Sequence, residues 1–196
     1  MLIPQYDNAI QLAMAAHRSQ TRKGSNIPFL VHPISVGITL AMIGVTNNVI
    51  IGGILHDTIE DTRITYDDIK GAFGREIADL VMEVTTEKET AGEPWITRRL
   101  RTINSISTIS QDAISIKAVD LYHNMASLVR DHALMGDKLF EHFSSTKNNE
   151  HWAFSQVYHA LKKRVTSKEE MVLEAIRQFI EKVFGSVYEE TSVHPD

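Results

Sequence analysis

The residues best suited to chemistry in this 196-residue chain fall in ILHDTIEDT, residues 54–62, where His56, Asp57, Glu60 and Asp61 close a strongly apolar run. On a helix, side chains four apart share a face, which sets His56 over Glu60 and Asp57 over Asp61. The plain alternative is a solvated acidic last turn with one incidental histidine. That alternative conflicts with helix electrostatics, because carboxylates near a helix C-terminus oppose the macrodipole, whereas a bound cation removes the conflict. Two further segments supply partners. His32 stands directly before Pro33, at a helix entrance, and KAVDLYHNM places Asp120 between apolar Ala118, Val119 and Leu121. A carboxylate in such surroundings needs a partner, since burying it unpaired is costly. His32, His56, Asp57 and Asp120 together could offer two imidazole nitrogens and two carboxylates, leaving coordination positions for water and substrate.

Composition narrows the metal. The chain has nine histidines and no cysteine, which excludes disulfide frameworks, thiolate zinc sites, iron–sulfur clusters and a cysteine nucleophile. Nitrogen and oxygen ligands suit manganese, iron, cobalt or zinc. A net charge of −5 argues against a broad nucleic-acid or anionic-membrane footprint, which needs clustered positive charge. The N-terminal residues MLIPQYDNAI lack the regions of a secretory signal, so a cytoplasmic location is the expectation. Residues 33–55 carry no charge and would pass a hydropathy window for a membrane span. Asn47 and Asn48 interrupt that run, and two buried helices joined at residues 45–47 fit it better.

Elements that could position these groups follow from periodicity. Apolar residues recur at helical spacing through residues 9–16, 69–73, 77–84, 114–129, 152–161 and 171–183. Thr65 with Asp68 and Ser167 with Glu170 read as capping boxes, and Gly74 and Gly185 as helix stops. No period-two strand stands out, although residues 96–109 are rich in Ile, Thr and Ser. The expected fold is a single all-α domain of eight to ten helices over residues 1–185, with a polar tail at 186–196.

The order His…His-Asp…Asp resembles the HD phosphohydrolase superfamily. The segments AHRSQTRKGSNIPFLVHPISV, ILHDTIEDT, ITYDDIKGAFGREIADLVMEVT and IKAVDLYHNM resemble, in turn, the hydrolase domain of RelA/SpoT homologues. The likeness runs from Ala16 to about Leu128, and the Glu-Asp pair after His-Asp is particular to this branch. It implies a stand-alone small alarmone hydrolase: a manganese-dependent 3′-pyrophosphohydrolase that converts ppGpp to GDP and pyrophosphate. It further implies that His32, His56, Asp57 and Asp120 hold one Mn2+, which lowers the pKa of a bound water and polarises a phosphoryl oxygen. Glu60 and Asp61 match the catalytic pair, and a carboxylate one turn beyond a ligand can take the proton of that water. Glu60 is then the base or proton shuttle and Asp61 its orienting partner.

For the substrate, a small nucleotide, the resemblance assigns Arg22 and Lys23 as a basic pair beside the metal site. Asn124 corresponds to a position that contacts nucleotide, and Ser127 is a further candidate one turn on. Arg98, Arg99 and Arg101 either reach distal phosphates or form an exposed helix face. Trp152 and Phe154 either wall a base pocket or belong to the core. His17 and His123 are candidates for supporting the site from behind. Leu121 and Ala126 stand where the family has basic residues, Arg22-Lys23-Gly24-Ser25 departs from its loop, and Phe154 replaces a tyrosine. These departures bear on nucleotide identity, leaving open hydrolysis of another nucleotide such as NADPH, or a non-catalytic alarmone-binding module. Oligomeric state is not legible.

Overall fold

A computed structural model describes residues 3–22, 26–86 and 93–191. Among them the chain is all-helical. In order run α1 (Ile3–Ala16), α2 (Val31–Met42), α3 (Asn47–Leu55), α4 (Thr58–Asp61), α5 (Tyr66–Phe73), α6 (Arg75–Val84), α7 (Trp95–Ser105), α8 (Gln111–Met135), a 3-10 segment (Gly136–His142), α9 (Lys147–Lys162) and α10 (Glu170–Phe184). The Ile-, Thr- and Ser-rich stretch after Pro94 is helical as α7, and no strand occurs among the described residues. None of these helices is long and apolar enough to cross a membrane. The uncharged run that resembles a span is broken into α2 and α3.

The chain divides into two compact units, Met1–Glu87 with Ile109–Asp120, and Lys88–Thr108 with Leu121–Asp196. In the first, α3 is the central element, buried from Val49 to Leu55 and packed against α1, α2 and α6. Its glycines make close packing possible. A Cβ on Gly37 of α2 would lie 2.6 Å from Ile54 Cγ1, and one on Gly52 would lie 2.9 Å from Leu80 Cδ2. Small residues at these crossings let α2, α3 and α6 approach, which is how helices carrying different ligands come within reach of one another. The reading of α2 as wholly buried needs correction, because its outer face leaves Ile38 and Met42 exposed. The Thr65–Asp68 capping box is present, with Thr65 accepting from the Asp68 amide and Asp68 from the Thr65 amide.

In the second unit, α9 packs between α7 and α10 around fully buried Trp152. The expected Ser167–Glu170 capping box does not form, because the N-cap of α10 is Glu169, which has no side-chain cap bond. The Thr166 amide and hydroxyl both donate to Glu169 Oε2 at 2.8 Å, and α10 begins at Glu170. Helix α10 ends at Gly185, whose φ of 88° is the left-handed cap that glycine favours. The described residues that follow lie along α9. There, His151 Nε2 donates to the Ser186 carbonyl at 2.6 Å and His159 Nε2 to the Tyr188 carbonyl at 2.8 Å. Gln156 donates to the Glu189 carbonyl (2.8 Å) and accepts from the Thr191 amide (3.0 Å), since a side-chain amide carries both a donor and an acceptor.

Candidate functional site

All four predicted ligands belong to the first unit and converge. His32 is in the first turn of α2, oriented by its amide bond to the Phe29 carbonyl at 2.9 Å and by the proline after it. His56 caps α3 directly after Leu55. Its Nδ1 donates to the Gly53 carbonyl at 2.7 Å, so the lone pair is on Nε2 when the ring is neutral. That Nε2 faces His32 Nε2 at 3.2 Å. Asp57 lies 3.1 Å from His56 Nε2 and 3.5 Å from His32 Nε2, through its two oxygens. Asp120, reaching in from α8, puts Oδ1 3.2 Å from His32 Nε2 and 3.7 Å from His56 Nε2. Its side chain is 20% exposed, so the aspartate expected to be buried is half-buried, and it has the partners that the expectation required.

This arrangement favours positive charge. Burial opposes a charge on His56, but Asp57 and Asp120 outweigh it and raise its pKa well above 6.5. Burial likewise opposes charge on the two aspartates, yet the imidazoles hold Asp57 below, and Asp120 well below, the usual carboxylate range. Ligand atoms of His32, His56 and Asp57 all lie within 4.8 Å of one another. Two facing nitrogens and two carboxylates of total charge −2 therefore fit a divalent cation, which would replace the protons they otherwise hold.

Glu60 and Asp61 sit on the four-residue α4, which starts after a turn at His56-Asp57 rather than continuing α3. The expected spacing nevertheless survives, since the Asp61 amide donates to the Asp57 carbonyl at 2.9 Å. Glu60 is half-buried and accepts from the Thr86 amide at 2.9 Å. Burial raises its pKa. The Thr86 amide and the Lys117 charge pull it back, while Asp57 and Asp61 push it up again. Asp61 is exposed, and its carbonyl accepts from Gln20 Nε2 at 2.9 Å.

Arg22 is linked to His32 through the Phe29 ring. Its guanidinium rests 5.7 Å from the Phe29 ring centroid, and Phe29 meets His32 edge-on at 5.8 Å. Lys23, Gly24 and Ser25 lie outside the described residues. Asn124 and Ser127 follow Asp120 on α8, in the second unit; Asn124 is half-buried and Ser127 buried. Arg99 pairs with buried Glu150 at 3.4 Å, and Arg101 pairs with Glu93. Neither forms the plain exposed face offered as one alternative. Trp152 is core rather than a pocket wall. Half-buried Phe154 lies 6.3 Å from Phe184.

Sequence reasoning did not reach three contributors: Gln20, Thr86 and Lys117. Lys117 carried a usable signal, because three residues before Asp120 on a helix is the same face. Gln20 and Thr86 had none, as their contacts span 41 and 26 residues.

Comparison with known proteins adds to this geometry. The family model of the HD domain matches residues 9–94, the stretch that holds His32, His56, Asp57, Glu60 and Asp61. The guanosine-3′,5′-bis(diphosphate) 3′-pyrophosphohydrolase of Aquifex aeolicus is 41% identical over 81 residues, covering 41% of this chain and 12% of that protein. The GTP pyrophosphokinase of Streptomyces coelicolor is 33% identical over 125 residues, covering 63% of this chain and 15% of that protein. The chain thus spans less than a fifth of the length of the curated relatives it matches. Among solved structures, a metazoan ortholog of SpoT that hydrolyzes ppGpp superposes with a TM-score of 0.71 at 24% identity, over 89% of this chain and 94% of its own. A Listeria monocytogenes protein, lmo0812, gives 0.69 at 24% identity, over 79% and 99%. At that identity the likeness establishes the shared all-helical fold.

Proposed function

We propose that this chain is an HD-domain enzyme, a manganese-dependent 3′-pyrophosphohydrolase that cleaves ppGpp to GDP and pyrophosphate. The observation that carries this reading is the convergence of His32, His56, Asp57 and Asp120, with Glu60 and Asp61 on the adjoining turn. The names of the relatives support the substrate, and the nitrogen and oxygen donors suit manganese. A divalent cation held by these four residues would supply Lewis acidity, which would make a water more acidic and polarise a phosphoryl oxygen.

The rest is done by the chain's own groups. Glu60, whose pKa burial raises, is the base in this reading and takes one proton from the attacking water. The water oxygen bonds to the phosphorus attached to the ribose 3′-oxygen. The bond between that phosphorus and O3′ breaks, the ribose oxygen takes the proton that Glu60 holds, and pyrophosphate leaves. Asp61 holds the geometry of the Glu60 turn. Arg22 and Lys23 meet phosphate or the purine face, for which the forked, stackable guanidinium is suited. Asn124 and Ser127 are proposed further contacts to the nucleotide.

Product analysis tests the proposal. Purified protein is incubated with ppGpp, pppGpp, NADPH and nucleoside triphosphates, with Mn2+, with chelator, and with Asp57→Ala. GDP and pyrophosphate from ppGpp, lost with chelator and with the substitution, are the expected products. Turnover of another substrate with ppGpp left intact would overturn the substrate. Binding of ppGpp without turnover of any substrate would instead identify an alarmone-binding module.

A further inference from the structure

The end of α1 contains a polar group that neither ligand binding nor proton transfer uses. His17 is 3% exposed, packed against Phe29 with ring centroids 4.6 Å apart. Its Nδ1 is 2.6 Å from Gln20 Oε1, and Gln20 Nε2 donates to the Asp61 carbonyl at 2.9 Å. The direction of every bond in this chain is set by its far end. A carbonyl only accepts, so the nitrogen of the Gln20 amide faces Asp61 and its oxygen faces His17. His17 must therefore carry a proton on Nδ1, and in the neutral ring Nε2 is then a bare acceptor. That Nε2 is buried and has no hydrogen-bond partner among the described residues.

Gln20 also joins three pieces of backbone. Its amide donates to the His17 carbonyl at 3.0 Å, its carbonyl accepts from the Phe29 amide at 3.0 Å, and its side chain holds the Asp61 carbonyl. Phe29 in turn abuts both His17 and His32. An apolar side chain could fill the place of His17 without stranding a nitrogen, and an orphaned buried polar atom costs stability. Retaining such a group where packing alone would favour its removal is the pattern of a functional constraint.

We propose that His17 and Gln20 are positioning residues for the hydrolysis above: they hold the Asp61 carbonyl, and with it the turn that presents Glu60 and Asp61. The Asp61 amide is fixed on one side by the Asp57 carbonyl, and Gln20 fixes the carbonyl on the other. This inference rests on the hydrolase reading. It adds that the catalytic turn is set from α1, by a relay whose His17 tautomer is dictated by the turn itself.

The test uses Gln20→Met, His17→Leu and His17→Asn in the full chain. Asparagine retains an N–H donor close to the position of Nδ1, so it is the conservative rescue. Each variant is measured for kcat and KM with ppGpp and Mn2+, for Mn2+ affinity, and for thermal midpoint without metal. Gln20→Met and His17→Leu are expected to lose kcat by about 10- to 100-fold, since small misplacements of a catalytic group have effects of that order. KM and Mn2+ affinity stay near wild type, His17→Leu melts no lower than wild type, and His17→Asn recovers most of kcat. If Gln20→Met fails to fold, the His17→Leu and His17→Asn pair decides. Near-wild-type kcat in Gln20→Met and His17→Leu, or losses that track thermal midpoint and Mn2+ affinity without rescue by His17→Asn, overturn the inference alone. Wild-type protein that leaves ppGpp intact overturns the hydrolase reading, and this inference with it.

Discussion

The Glu60 carboxylate accepts the backbone amide of Thr86 at 2.9 Å, joining the turn after His56-Asp57 to the chain just past α6. The proposed base is thereby held by a donor that does not ionise near neutral pH. Burial raises its pKa, and the Thr86 bond and Lys117 limit the rise.

Glu60→Gln is expected to keep ppGpp binding while lowering kcat by about 10²- to 10⁴-fold, the usual contribution of a positioned acid or base. Stability gives an independent sign. A carboxyl whose folded pKa lies above its ordinary 4.5 binds its proton more tightly when folded, so its contribution declines as pH rises from that value through the folded pKa. Metal-free Glu60→Gln, which mimics the protonated acid, should then gain on wild type between acid and neutral pH. Urea denaturation of both proteins at pH 4 and pH 7 checks this; an unchanged difference would refute the assignment.

In the proposed site, metal and proton compete for the same nitrogen of His56. The raised pKa of His56 stabilises the metal-free fold fully below the unfolded value of 6.5, and this support is lost as pH rises through the folded value. Asp57 and Asp120, with lowered pKa values, contribute above 3.8 and lose that contribution as pH falls through their folded values. Mn2+ binding should therefore release protons and tighten with rising pH. Titration calorimetry in buffers of different ionisation enthalpy measures the proton release. Binding that is independent of both pH and buffer would contradict this ligand set.

Gly37→Ala tests the helix crossing that supports the ligands. The new Cβ would meet Ile54 Cγ1 at 2.6 Å, within a stiff β-branched side chain, so α2 must shift against α3. A loss of about 1–3 kcal/mol is expected, as for overpacked cores. Because α2 carries His32 and α3 leads to His56, Mn2+ affinity should fall as well. Thermal melts with and without Mn2+ separate the two effects, and wild-type affinity would show that the crossing does not set the ligand spacing.

Arg99→Ala addresses the second unit. It leaves the buried Glu150 carboxylate with Ser145 at 2.6 Å but without its ion-pair partner. Arg99 itself is partly exposed, so the cost should be about 3 kcal/mol or less, the low end for a broken buried pair. KM for ppGpp should remain at the wild-type value. A raised KM with unchanged stability would restore Arg99 as a phosphate contact.

Much of the site was legible because its chemistry is concentrated in short segments. His56-Asp57 and Glu60-Asp61 are neighbours in sequence, and helical periodicity placed His32 at an entrance and Asp120 in an apolar stretch. The turn between α3 and α4 was not legible, since His56 and Asp57 keep helical backbone angles where the helix is interrupted. Likewise Arg98, Arg99 and Arg101 look alike in sequence, and only the position of α9 turns Arg99 toward Glu150.

The sequence by itself determined which residue types could serve as ligands, the absence of cysteine, the helical class and local devices such as the Thr65–Asp68 box and the Gly185 cap. These depend on residues a few positions apart, where helix geometry dictates who meets whom. The tertiary structure alone decided that His32, His56, Asp57 and Asp120 converge, that Thr86 holds Glu60, and that Gln20 reaches Asp61. Those contacts depend on where helices cross, and the crossings are set by packing around Gly37, Gly52 and Ile54 rather than by any local pattern.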